Sequence, residues 1–204
     1  MNFYFFLDLP YKDYGSSLDL FNTPSNRRLC NDKLKDCFIT AYYTDGEKWI
    51  SHNFGILKKN SSILINKYDL PQSFHDKSVF MSYSFKPVSN FKYLENLNYM
   101  NSNPDWRANI NIYNQFTSSS YQGEYPGDFI DKKISLVSCS PMLQKEANNF
   151  FYLINLQADP KILPFTLEIF NNKKVKIDEK KDFNNTVNVF KLDKLNKYFN
   201  ENMF

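Results

Sequence analysis

Apolar and polar side chains alternate over short runs along this chain, as expected for β-strands with one buried face. The clearest run is Arg107-Ala108-Asn109-Ile110-Asn111-Ile112-Tyr113. It places Ala108, Ile110 and Ile112 on one side and Asn109, Asn111 and Tyr113 on the other. Val79-Phe80-Met81-Ser82-Tyr83-Ser84-Phe85 alternates until Pro87 ends it. Phe38-Ile39-Thr40-Ala41-Tyr42-Tyr43-Thr44 is β-branched and aromatic and stops at the turn Asp45-Gly46, with Trp49-Ile50-Ser51 as the return strand of a hairpin. Residues 62–65, 134–138, 150–156 and 186–192 read as further strands. Residues 165–170, a turn at Asn171-Asn172 and residues 175–177 make a second hairpin. The opening Met1-Asn2-Phe3-Tyr4-Phe5-Phe6-Leu7 is apolar but short, lacks a basic leader and is closed by Asp8, so it also reads as a strand.

Helical spacing is scarce. Phe91, Leu94, Leu97 and Met100 recur at a helical period in a segment that must end before Pro104, and residues 192–199 suit a final turn or two. Residues 23–36 are polar, contain Pro24 and Arg27-Arg28, and read as a long surface loop. Many short strands separated by turns predict an all-β chain. The expected architecture is an antiparallel β-sandwich, jelly-roll or Greek-key like, forming one domain over residues 1–204 with at most one or two short helices.

A loose internal repeat runs through this pattern, with residues 38–85 recurring at 107–156. Each copy starts with an aromatic alternating strand. A polar, glycine-containing loop follows, His52-Asn53-Phe54-Gly55 in one and Tyr121-Gln122-Gly123-Glu124-Tyr125-Pro126-Gly127 in the other. Lys58-Lys59 and Lys132-Lys133 then lead into apolar strands, and a fourth element closes each copy. A true repeat would set two related β-units about a pseudo-twofold axis. The competing explanation is that every β-protein alternates strand and turn.

Composition narrows the class. The chain has 204 residues, 42% hydrophobic and 23% charged, which is ordinary globular usage and excludes general disorder. Its aromatic content is high, with 20 Phe and 14 Tyr against 5 Gly. A formal charge of +3 is too mild to imply a nucleic-acid partner. No apolar run approaches the roughly 18 residues of a membrane-spanning helix, so no membrane partner is expected. Cys30, Cys37 and Cys139 form an odd set without framework spacing. Free thiols in a reducing, cytoplasmic setting fit them, with a Cys30–Cys37 redox pair as the alternative.

The residues of catalysis are few. His52 and His75 are the two histidines, and no His-x-His, Cys-x-x-Cys or glycine-rich phosphate loop occurs, so neither a metal nor a cofactor is expected. The densest polar-aromatic segment, residues 104–127, supplies the candidate ligand-binding set Trp106, Arg107, Tyr121, Gln122, Glu124 and Tyr125, with His52 and Asn53 joining from the matching loop of the first unit. Aromatic faces suit the apolar face of a sugar, while Arg, Gln, Glu and Asn bond its hydroxyls. The plainer reading makes Trp106 a core anchor and pairs Arg107 with Asp105 or Glu124. His75 reads as a solvated loop residue, and the lysines from Lys173 to Lys181 as a solvated, charge-balanced hairpin.

These features favour a protein that binds a polar small molecule or glycan. Two alternatives are a structural or protein-interaction subunit using an aromatic surface, and a carbohydrate-active enzyme with Glu124 or His52 as acid or base. The enzyme reading requires Glu124 to face His52 or another carboxylate across an open cleft.

Overall fold

Backbone pairing between strands organises the chain in the computed structural model. It describes residues 2–6, 13–23, 35–84, 87, 108–121, 124–126, 148, 150–154, 159–170, 173–184 and 187–191. At 2–6, 83, 121, 124–126, 154, 184 and 187 it describes the backbone alone. In chain order the strands are β1 (Asn2–Phe6), β2 (Gly15–Asn22), β3 (Cys37–Thr44), β4 (Trp49–Leu57), β5 (Ser61–Asn66), β6 (Val79–Ser84) and β7 (Ala108–Tyr113). They continue with β8 (Ser118–Tyr121), β9 (Glu124–Pro126), β10 (Phe150–Ile154), β11 (Leu163–Phe170), β12 (Lys176–Asn184) and β13 (Val187–Lys191). Among the described residues the only helical elements are the 3₁₀ turns Lys67–Asp69 and Gln72–Phe74, and no helix is long and apolar enough to cross a membrane.

Among the described residues all pairings are antiparallel. One sheet has the order β4-β3-β6-β1-β9, and a second has the order β5-β2-β7-β8. Among the described strands β1 to β9 the chain changes sheet six times: between β1 and β2, β2 and β3, β4 and β5, β5 and β6, β6 and β7, and β8 and β9. Two of these, from β4 to β5 and from β8 to β9, join edge strands, each directly after a hairpin: β3–β4 in one case and β7–β8 in the other.

A single apolar cluster draws on both sheets. Leu18 and Leu20 of β2, Ile65 of β5 and Ala108 and Ile110 of β7 join Ile39, Ala41, Tyr42, Leu57, Phe80 and Met81 of the first sheet. The register makes this possible. Leu18 lies between Ile65 and Ile110, and Leu20 between Ile63 and Ala108, so alternate residues of three strands enter one layer. In β3 residues of both parities are buried, which marks this pair-flanked strand as covered on both sides and explains its unbroken β-branched and aromatic composition. Leu70 and Phe74, from the 3₁₀ segment between β5 and β6, complete the cluster, with Phe74 edge-on to Tyr43 at 4.7 Å.

Buried Asn22 holds the crossing from β4 to β5. Its Nδ2 donates to the carbonyls of Lys35 (2.8 Å) and Leu57 (3.3 Å), while its own carbonyl accepts the Asn60 amide at 2.7 Å. Asp36 grips the same turn through the Lys58 ammonium (2.8 Å) and the Lys59 amide (3.0 Å), which together hold its carboxyl below the usual range.

The C-terminal strands make two further ladders, β10–β13 and β11–β12, with the hairpin inserted in sequence between the paired outer strands. Phe190 is their buried centre, packed by Phe151, Leu153, Phe165, Leu167, Ile169 and Ile177. Lys180 Nζ sits 5.5 Å from its ring centre.

Several expectations are revised by this structure. The return strand after Asp45-Gly46 does not stop at Ser51 but runs through Leu57, so His52-Asn53-Phe54-Gly55 is strand and not loop. A β-bulge permits this: Ile39 pairs with Gly55 and Thr40 with Asn53, leaving Phe54 as the extra residue. Gly55 has φ of 142°, a conformation that favours glycine. Residues 124–126 are likewise a strand, paired with β1. β12 extends to Asn184, well past the expected 175–177. His75 is half-buried and not solvated: Nε2 donates to the Leu70 carbonyl at 2.9 Å and the ring meets Tyr68 edge-on. The strand expected at 134–138, the helix within 91–100, the turn at 192–199 and residues 24–34 of the polar loop lie outside the described residues.

Candidate functional site

Where β2 begins and the β7–β8 hairpin turns, the chain encloses an open cleft of about 400 Å³. Asp13 and Tyr14 line it from the approach to β2. Asn114, Gln115 and Phe116 line it from the hairpin turn, and Asn148, Phe150 and Lys191 from the β10–β13 ladder and its approach. Its volume lies within the roughly 300–1,000 Å³ usual for small-molecule sites.

Local chemistry sets each wall. Asn114 follows β7 and folds the turn around its own side chain. Its Oδ1 accepts the amides of Phe116 and Thr117 (2.8 Å each) and the Thr117 hydroxyl (3.3 Å), while its amide donates to the Thr117 carbonyl (2.9 Å). The turn is thereby fixed, and it holds Phe116 80% exposed at the cleft. On the opposite wall, Asn148 Nδ2 donates to the Tyr14 hydroxyl at 2.8 Å, and the Tyr14 ring stands edge-on to Phe150 at 6.1 Å. Among the described residues the lining thus combines aromatic rings with carboxamides and one residue of each charge, Asp13 and Lys191. Such a surface can stack an apolar ring face and bond hydroxyls around its edge.

The nominated residues that the structure describes stand on the two large sheets. Trp106, Arg107 and Gln122 lie outside the described residues. Tyr121 ends β8, opposite Ile110, in the second sheet. Glu124 and Tyr125 are on β9, paired with Tyr4 and Phe3. His52 and Asn53 are adjacent in regular strand, so they face opposite sides of the first sheet. The His52 ring packs edge-on against Phe74 at 5.9 Å, and Asn53 Oδ1 accepts the Gly55 amide across the bulge at 3.2 Å.

The register relates these two groups directly. His52, Ala41, Met81, Tyr4 and Glu124 form one continuous row across the first sheet, with His52 and Glu124 at its two ends. Four strand spacings separate the ends, about 19 Å at the usual interval. Asn53 and Tyr125 end the neighbouring row in the same way, through Thr40, Ser82 and Phe3. The topology therefore sets His52 and Asn53 at one edge of the first sheet and Glu124 and Tyr125 at the other, and an acid–base pair of His52 with Glu124 has no geometric support.

The described cleft residues differ from those nominated from sequence. Their one legible signal is Asn114-Gln115-Phe116-Thr117, an Asn-initiated turn carrying an aromatic directly after the most regular strand. Tyr14, Asn148 and Phe150 are far from that turn in sequence and carry no such signal. Cys37 is also at hand for chemistry by residue type, but it is fully buried, and burial, reinforced by the Asp36 carboxylate, pushes its thiol up to about 12. Among the described residues no cluster of three or more His, Cys, Asp or Glu side chains is placed to hold a metal ion. No family model, no curated protein and no solved structure matches this chain.

Proposed function

We propose that this protein is a jelly-roll-like β-sandwich that binds a polar small molecule or glycan in the cleft between Tyr14 and Phe116. The observation that carries the binding reading is Phe116. A phenylalanine held largely in solvent, by a turn that its neighbours hydrogen-bond into one shape, is arranged for contact with something outside the chain. Carboxamides beside it suit hydroxyl groups, and the balanced charge of Asp13 and Lys191 suits a neutral ligand. The sandwich reading is supported by the single core shared between the two sheets and by the pair of edge-to-edge crossings. Those crossings, each after a hairpin and in opposite directions, also support an internal repeat relating the region of β3–β5 to that of β7–β9.

The test is calorimetric titration and thermal shift against a panel of neutral mono- and disaccharides, using the wild type and Phe116→Ala. Binding that weakens about tenfold or more in Phe116→Ala, with unchanged unfolding temperature of the free protein, is the expected result. No response to any member, or equal affinity in the variant, removes the reading.

A second reading, a protein-interaction subunit, is favoured by the β11–β12 hairpin, where Leu163, Phe170, Val175 and Phe183 are about half exposed or more. Sedimentation of wild type against Phe170→Ser/Phe183→Ser distinguishes it: self-association lost in the variant supports an interaction surface, and a wild-type monomer removes self-assembly as its purpose.

A further inference from the structure

The sheet that frames the cleft has an unusual side-chain inventory. Its four strands, β5, β2, β7 and β8, contain one charged residue, Asp19, in a chain that is 23% charged. The β11–β12 hairpin is the internal contrast, since it carries Glu168, Lys176, Asp178, Glu179, Lys180, Lys181 and Asp182. Ordinary solubility would be served by the second pattern on both surfaces.

Strand alternation assigns the outward face of the neutral sheet. Leu18, Leu20, Ile65, Ala108 and Ile110 enter the core, so Ser17, Asp19, Phe21, Leu64, Asn109, Asn111 and Tyr113 face away from it; Ser17 is itself buried, which leaves the β7–β8 half, with Asn109, Asn111 and Tyr113, as the polar accessible part. On β8 the register places Ser120 beside Asn111 and Ser118 beside Tyr113, and both serines are exposed. Asp19 is not a free charge here: Asn111 Nδ2 donates to its Oδ2 at 3.0 Å and to Ser17 Oγ at 3.2 Å. With that amide nitrogen committed, Oδ1 is the atom Asn111 offers to a ligand hydroxyl. Tyr113, 41% exposed, lies across Gly15, and the next residue along the chain, Asn114, lines the cleft.

We propose that this outward face is an extended subsite, continuous with the cleft, for a chain of neutral sugar residues. The inference rests on the cleft reading above and deepens it from a single ring to an oligosaccharide. On β7 and β8 the hydroxyl and carboxamide side chains of Asn109, Asn111, Ser118 and Ser120 leave a shallow surface that exchanges hydrogen bonds with a polyhydroxylated chain without desolvating a lysine or free carboxylate. Tyr113 marks the junction, next to the turn that presents Phe116.

The test is a ladder of gluco-, manno- and N-acetylglucosamine oligosaccharides, from monosaccharide upward, titrated against wild type, Ser120→Arg and Phe116→Ala. Ser120 is an exposed edge-strand position, so its substitution leaves folding intact, which circular dichroism verifies. The expected result is an affinity that rises about tenfold or more with chain length in wild type. Ser120→Arg should lose that gain while keeping monosaccharide affinity, whereas Phe116→Ala weakens every member. Monosaccharide binding with no length dependence, or a length gain that survives Ser120→Arg, overturns the subsite and leaves the cleft reading standing. No binding by any member overturns both.

Discussion

Tyr113 lies across its register partner Gly15 so closely that a Cβ on the glycine would sit 2.6 Å from the tyrosine ring. The glycine is thus the space that the ring fills, at the edge of the cleft.

Gly15→Ala should therefore displace the Tyr113 ring. The cost is about 1–3 kcal/mol, the usual range for overpacking, and toward its lower end because the ring is part-exposed and can swing aside. In a Tyr113→Ala background the same substitution should cost about nothing or stabilise the strand. Urea unfolding of the two singles and the double measures this. Additive effects would show that ring and glycine do not act on each other.

Asn22→Ala removes a buried donor to two carbonyls at a point where the chain changes sheets. The expected loss is about 1–3 kcal/mol, because Lys35 O and Leu57 O lose their bonds inside the protein. Asn22→Asp should be worse, since a carboxylate would face the same carbonyls. A midpoint shift in chemical denaturation smaller than that of an exposed-surface control would contradict this.

At Gly55 the space is open, with nothing within 4 Å of where a Cβ would stand, while φ is 142°. Any cost of Gly55→Ala is therefore conformational, about 1–2 kcal/mol. Semisynthetic D-alanine, which accepts positive φ, should recover that stability. Equal destabilisation by both enantiomers would point to a steric cause instead.

Cys37 links stability to alkaline pH. Burial and the Asp36 carboxylate raise its thiol from 9.0 to about 12, so the folded state keeps a proton that the unfolded chain releases. The stability this contributes is fully present below pH 9 and is lost as pH rises toward 12. Wild type should accordingly lose stability relative to Cys37→Ala across that window, as read from urea midpoints. Parallel pH profiles would refute the linkage. By the same argument, alkylation of Cys37 followed by peptide mass spectrometry should proceed only on unfolding.

What the sequence determined alone is the set of strands whose pattern is local. Ala108, Ile110 and Ile112 against Asn109, Asn111 and Tyr113 specify β7 and its faces, because period-two alternation belongs to the strand itself. The turn at Asp45-Gly46 was legible for the same reason, since the Asp45 carboxylate accepts the amides of Glu47 and Lys48 within four residues. β2 was not read from the sequence: Leu18 and Leu20 alternate with Ser17 and Asp19 over only a few residues, and it is the flanking Ile65 and Ile110 that make Leu18 a core position.

Only the tertiary structure decided where those strands stand. His52 and Glu124 read in sequence as members of one loop cluster, yet β3, β6 and β1 lie between their strands and send them to opposite edges. Gly55 continues a strand because β3 is there to pair across the bulge. The cleft joins residue 14 to residues 116 and 150, a closeness with no sequence signature. The physical reason is common to all three. Alternation is written into neighbouring side chains, whereas strand order and register depend on which distant partner buries the most apolar surface and satisfies the most backbone groups.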